Sequence, residues 1–209
     1  MEGEKETKEK LLKSAKAEFM EKGYAAASLR SICKNAGVTT GALYFFFKDK
    51  EDLFESLVKE PFQNILSMLE EHYNSEAEQI VENKDFAVPK DIETSDDFTS
   101  SVNAIKFLYA HYDEMTLLIA KSQGSKFSNC LDELVRITEK HYARLSEIIC
   151  KKKNMPNVDE RVIHWISHVQ IEAFSYLLTH VDSEEKAEKI LPHIMKYLTG
   201  GWYKLYDFI

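Results

Sequence analysis

Glycine, proline and cysteine are all scarce in this chain. Its 209 residues include seven glycines and four prolines, too few for the many tight turns of a β fold. Three cysteines, an odd number at scattered positions, make no disulfide framework. No apolar run approaches the roughly 18 residues of a membrane span. The opening segment, MEGEKETKEK, is charged and lacks the apolar centre of a signal peptide. A cytoplasmic chain with no membrane contact is expected. The sequence also shows no phosphate-binding glycine loop, nucleophile–base set or metal quartet, so an enzyme, a cofactor and a metal are not expected.

Positive charge is lacking overall, with a net charge of −8, but its distribution decides what that means. Residues 1–60 carry 11 basic and 11 acidic residues, and the remainder carries 16 against 24. Between Lys22 and Lys50, five basic residues face Asp49 alone. Attraction to phosphate needs a locally basic surface rather than a basic protein. Hydrophobic content of 44% and charged content of 30% are ordinary for a globular chain with a buried core.

That basic stretch contains SLRSICKNAGVTTGALYFFFKDKEDL, residues 28–53. Leu29, Ile32, Cys33 and Ala36 follow the i, i+3, i+4, i+7 spacing of a helix with one apolar face. Ser28 is placed as the N-cap, and Gly37 stands where a helix leaves through a left-handed residue. Thr39 then caps a second helix that buries Leu43 and Phe47. Thr40, Gly41, Ala42, Tyr44, Phe45 and Phe46 are left outside. Small polar residues followed by aromatics, bracketed by Arg30, Lys34, Lys48 and Lys50, suit a DNA groove and its phosphates. The bland reading is an ordinary helix pair, but three consecutive aromatics cannot all enter one core.

The string GVTTGALYFFFKDKEDL resembles the recognition-helix signature of TetR-type transcriptional regulators, and the resemblance covers residues 7–58. It implies a three-helix DNA-binding head on a larger all-helical body that dimerises and binds an unidentified small-molecule effector. By the same resemblance, Thr40, Gly41 and Ala42 approach base edges, while Tyr44 and Lys50 hold phosphates with help from Thr39 and Lys48. Phe45 packs on sugars or a thymine methyl, and Arg30 meets a phosphate or a guanine edge. The family usually has histidine where this chain has Phe46. The implied function is a ligand-responsive regulator, of repressor type, bound as a homodimer to double-stranded, pseudo-palindromic operator DNA. The alternative is a DNA-binding or architectural protein of the same fold with no effector.

Elsewhere every confident pattern is helical, so the expected class is all-α. The expected division is a head at residues 1–50 and a body at 51–209. A first helix spans Thr7–Lys22, ended by Gly23, with Leu11, Leu12, Ala15 and Phe19 facing inward. Asp49 and Asp52 form a capping box before a helix expected to kink or break at Pro61. Residues Asn83–Asp97 read as a loop. Further helices follow at Asp113–Lys121, Lys126–Lys152, Asp159–His180 and from about Ser183 to Tyr206.

Phe62, Tyr73, Phe107, Tyr109, Met115, Tyr142, Trp165 and Tyr176 are candidates to line an effector pocket, although each alone is more often core. Val162, Ile166, Val169, Ala173, Leu177, Ile194, Leu198 and Gly201 are candidates for the dimer interface. His164 and His168 are four apart on one helix, but no third ligand accompanies them.

Overall fold

The computed structural model describes residues 2–82 and 91–206. Among them the chain forms α1 (Glu2–Ala26), α2 (Leu29–Ala36), α3 (Thr40–Phe46), α4 (Lys50–Glu82) and α5 (Asp96–Ala110). There follow α6 (Tyr112–Ala120), α7 (Cys130–Lys153), α8 (Glu160–His180) and α9 (Glu184–Lys204). A 3-10 turn at Ile92–Thr94 precedes α5, and no strand occurs among the described residues. The all-α class is therefore the one expected.

Helix boundaries follow local chemistry. Helical geometry in α1 is interrupted at Gly23, whose φ of 73° and ψ of 164° suit a residue without a Cβ. Gly37 ends α2 in the left-handed region, and its N–H closes back on the carbonyls of Cys33 and Lys34. The Asp159 and Ser183 side chains cap α8 and α9.

Several boundaries differ from the sequence expectation, and α1 starts at Glu2 rather than Thr7. The helix does not break at Pro61: α4 runs through it to Glu82. Proline in a helix interior costs about 3 kcal/mol, and burial of Val58 and Phe62 on either side offsets that cost. The long helix α7 starts at Cys130 rather than Lys126, because the preceding segment closes tight turns instead. Ser125 N–H donates to Ser122 O at 2.9 Å, and Cys130 N–H to Phe127 O at 3.0 Å. The expected loop at Asn83–Asp97 falls outside the described residues for 83–90, and its end is helical from Asp96.

The chain divides into two compact units, one of residues 1–64 and 111–130, the other of 65–110 and 131–209. The first has a core of Leu11, Phe19, Ile32, Leu43, Phe47, Leu53, Phe54, Leu117 and Leu118. Phe54 is its hub, with ring centroids 5.1 Å from Phe19 and 5.2 Å from Tyr24. The second is centred on Ala77, Ile80, Leu145, Ile149, Ile163, Trp202, Tyr203 and Tyr206. Burying a side chain of Leu, Ile or Phe size contributes about 1.5–3 kcal/mol, so each unit has a core of its own.

Candidate nucleic-acid interface

The reading surface is built by the α2–Gly37–α3 corner. Leu43 and Phe47 are buried, as expected, and fix α3 by one face. The Thr39 hydroxyl accepts from Ala42 N–H at 3.2 Å, satisfying one of the free donors of the first turn. The opposite face carries Thr40 and Gly41 exposed and Ala42 half-buried. Tyr44 is 58% and Phe45 71% exposed. Phe46 is half-buried, its ring packed edge-on against Phe45 at 4.9 Å. It supplies no donor where a histidine would. Arg30, Lys34 and Lys48 are exposed around this face.

Lys50, expected at a phosphate, is engaged within the fold. Its ammonium donates to the carbonyls of Tyr24, Ala25 and Ala27 at 2.8, 3.2 and 3.3 Å. It also lies 4.5 Å from the Tyr24 ring centroid. A cation among carbonyls at the end of α1 complements the helix dipole. All three ammonium donors are thus used in joining α4 to the α1–α2 corner. Of the two lysines at this end, Lys48 is the one left outside. The capping box is also shifted by a residue: Asp49 accepts from Asp52 N–H, but Asp52 reaches back to Lys48 N–H.

Glu18 is the anchor that the sequence reading missed. Its carboxylate is buried and accepts from Ser28 N–H, the Ser31 hydroxyl and the Lys22 ammonium, at 3.2, 2.9 and 2.9 Å. The Ser28 side chain makes no cap; Glu18 does this work from the neighbouring helix. Burial alone would raise the Glu18 carboxyl, but the hydrogen bonds from Lys22, Ser31 and Ser28 hold it below its ordinary value. Its position on the buried face one residue before Phe19 was the available signal.

A profile described as "Bacterial regulatory proteins, tetR family" matches residues 11–57, the segment that builds this corner. Residues 11–57 match the TetR family. Over 53 residues the chain is 45% identical to the HTH-type transcriptional repressor BepR of Brucella suis, covering 25% of each chain. Over 52 residues it is 46% identical to the HTH-type transcriptional regulator AcrR of Shigella flexneri, covering 25% of this chain and 24% of that one. The chain thus matches about a quarter of the length of these curated relatives.

Beyond the TetR-family head, the likeness is one of fold. NalD, the secondary repressor of the MexAB-OprM multidrug efflux pump in Pseudomonas aeruginosa, superposes with a TM-score of 0.59 at 21% identity, covering 96% of this chain and 98% of that one. A TetR-family structure from Syntrophomonas wolfei gives 0.53 at 22%, covering 94% and 96%. No helix among the described residues is long and apolar enough to cross a membrane.

The pocket candidates are scattered. Phe62 and Met115 are buried in the first unit, Phe62 against Phe127 with centroids 6.1 Å apart. In the second unit Phe107 and Tyr109 are half-buried, and the Tyr109 hydroxyl donates to Leu177 O and Val181 O at 2.9 and 2.8 Å. Tyr73 and Tyr142 meet in one network: Tyr73 bonds Thr138 at 3.0 Å and accepts from Gln170, to which Tyr142 also bonds. Burial pushes both phenols well above their ordinary range. Trp165 and Tyr176 instead stand exposed on α8, because their positions fall opposite the buried Ile163, Ser167 and Ile171. They do not line the interior of their own unit.

The interface candidates divide as well. Val162, Ile166, Val169, Ala173, Ile194 and Leu198 are half-buried and Gly201 is exposed. Leu177 is fully buried in its own chain, so it is core rather than surface. His164 and His168 pack edge to face at 4.7 Å, and His164 bonds Glu139 at 2.9 Å.

A second polar cluster also went unread in the sequence. His72 and Glu76 on α4, Asp97 on α5 and His141 on α7 converge in the second unit, with His141 Nε2 at 2.7 Å from Glu76 Oε2. Burial, with Asp97 alongside, pushes the Glu76 carboxyl up to about 8. Burial likewise lowers His141 to about 3. Burial also works against a charged His72, but the hydrogen bond and charge of Asp97 raise it overall.

Proposed function

We propose that this chain is a ligand-responsive transcriptional regulator of repressor type that binds a pseudo-palindromic operator as a homodimer and has no enzymatic activity. The observation that carries the reading is the outward face of α3, where Tyr44 and Phe45 are exposed on a helix whose other face is locked into a core. Such a helix presents small residues to base edges and aromatic and cationic groups to the backbone. Residues 1–50 read DNA, and residues 51–209 bind the effector and the second subunit. The words "repressor" in the names of BepR and NalD support the regulatory sign.

Dimerisation through α8 and α9 is supported by what those helices leave uncovered. Trp165 and Tyr176 on α8 and Tyr197 on α9 are large, exposed rings. A Cβ built at Gly200 or Gly201 meets nothing within 4 Å in its own chain, so close approach of a partner backbone gives both glycines a use. Two such helices from each subunit make a four-helix bundle on a two-fold axis. It sets the reading helices about 34–36 Å apart, or further on distorted DNA.

The test is a binding-site selection on the full chain, with Thr40 and Ala42 variants alongside. An inverted repeat whose preferred base changes in those variants is expected; recovery of no enriched sequence would defeat the reading. A thermal-shift panel of metabolites and drugs separates the effector-responsive regulator, which gives a specific hit, from the effector-free alternative, which stays silent.

A further inference from the structure

His72 and Glu76 lie one turn apart on the same face of α4, and Asp97 meets them from the first turn of α5. One ligand atom from each of the three lies within 4.8 Å of the other two. His72 Nε2 stands 3.4 Å from Asp97 Oδ1. Donors bound about 2.0–2.2 Å from one ion sit roughly 3–4 Å apart along a tetrahedral edge, so only a small adjustment separates this arrangement from a coordination shell.

A second observation comes from a different helix. The His141 side chain is 4% exposed, with its Nε2 directed at Glu76. Its ring is held flat against Tyr73, the centroids 3.9 Å apart and the planes within 4°. A locked, buried imidazole that fixes the orientation of a ligating carboxylate is how an outer shell tunes a metal site. Both carboxylates are paired with histidines, which suit a divalent ion better than lysine or arginine would.

We infer that His72, Glu76 and Asp97 bind one divalent first-row transition-metal ion, with His141 holding Glu76 from behind. One imidazole and two carboxylates favour Zn²⁺, Co²⁺ or Mn²⁺ over Mg²⁺ and Ca²⁺, which prefer oxygen alone. The three ligand side chains are partly exposed, which leaves coordination positions open to water or to an anionic ligand. The inference does not depend on DNA binding, since occupancy is read without DNA.

The test uses the full, untagged chain, stripped with a chelator and titrated separately with Zn²⁺ and Co²⁺. One ion per chain by calorimetry and elemental analysis is expected, with a visible Co²⁺ absorption band. His72→Ala and Asp97→Asn should each weaken Zn²⁺ binding by at least about tenfold, while a His164→Ala/His168→Ala double variant retains it. Asp97→Asn conserves shape at a helix start and keeps the test decisive if His72→Ala unfolds. Absence of stoichiometric uptake, or uptake lost in the double variant and kept in the other two, would overturn the inference.

Discussion

The two compact units each turn a glutamate inward, Glu18 fully buried and Glu76 partly exposed, and they surround it in opposite ways. Glu18 in the head is satisfied by donors from residues 22, 28 and 31, all within 13 positions in sequence. Glu76 in the second unit meets Asp97 and His141, which are 21 and 65 positions away. The first carboxylate is surrounded by donors and held below its ordinary value; the second is pushed up by burial, with Asp97 alongside. A structural anchor is completed by its own neighbourhood, whereas the second cluster has an excess of acceptors that a bound cation would balance.

The largest effect that tests this contrast lies on α8. Ala173→Glu should put two like charges into the proposed bundle and cost about 3–5 kcal/mol per buried charge. It should yield folded monomers with greatly weakened operator binding, read by light scattering and fluorescence anisotropy. Leu177→Ala, four residues on but inside the core, should instead lower stability by about 2–5 kcal/mol and leave association intact. A wild type that is monomeric at micromolar concentration would remove the interface.

Next is Glu18→Ala, expected to cost about 3 kcal/mol, since it strands donors that bonded a charged acceptor. Because the folded-state value of Glu18 is depressed, its contribution is present above the ordinary carboxyl value and is lost as pH falls through the folded one. Denaturant midpoints for wild type and variant should therefore converge towards acid. Equal pH slopes for the two would mean that Glu18 is not the anchor.

A smaller effect distinguishes the two lysines. Lys50→Ala should lower head stability by about 1–2 kcal/mol, because it removes a cation from three carbonyls. Lys48→Ala should leave stability within about 0.5 kcal/mol and lower the salt slope of DNA binding by about one unit. A slope change confined to Lys50→Ala would reverse these roles.

The head was legible because its signals are local. Gly37 needs a left-handed backbone, Thr39 caps the helix that begins beside it, and Leu43 and Phe47 share one face of a single helix. Residues spaced by three or four positions reveal such features without knowledge of the fold. The carbonyl partners of Lys50, at residues 24–27, had no sequence signal because they belong to a corner that exists only after folding. On α8, Val162 and Ala173 stay half-buried in their own chain, whereas Leu177 is wholly buried. A wide apolar helix gives its period but not which edge is covered. His72 and Glu76 were visible as an i, i+4 pair, yet Asp97 and His141 come from other helices and no spacing links them. Pro61 shows the reverse limit, a strong local signal that does not end the helix.

Phe46 has a further consequence, in proton balance. The first histidine in the chain is His72, so the reading corner holds no group that titrates near neutrality. The cations that face outward there are Arg30, Lys34 and Lys48. Operator affinity should be flat between about pH 5.5 and 7.5, where an imidazole at position 46 would have made it rise on acidification. A slope found in that window would have to originate away from the DNA-facing surface.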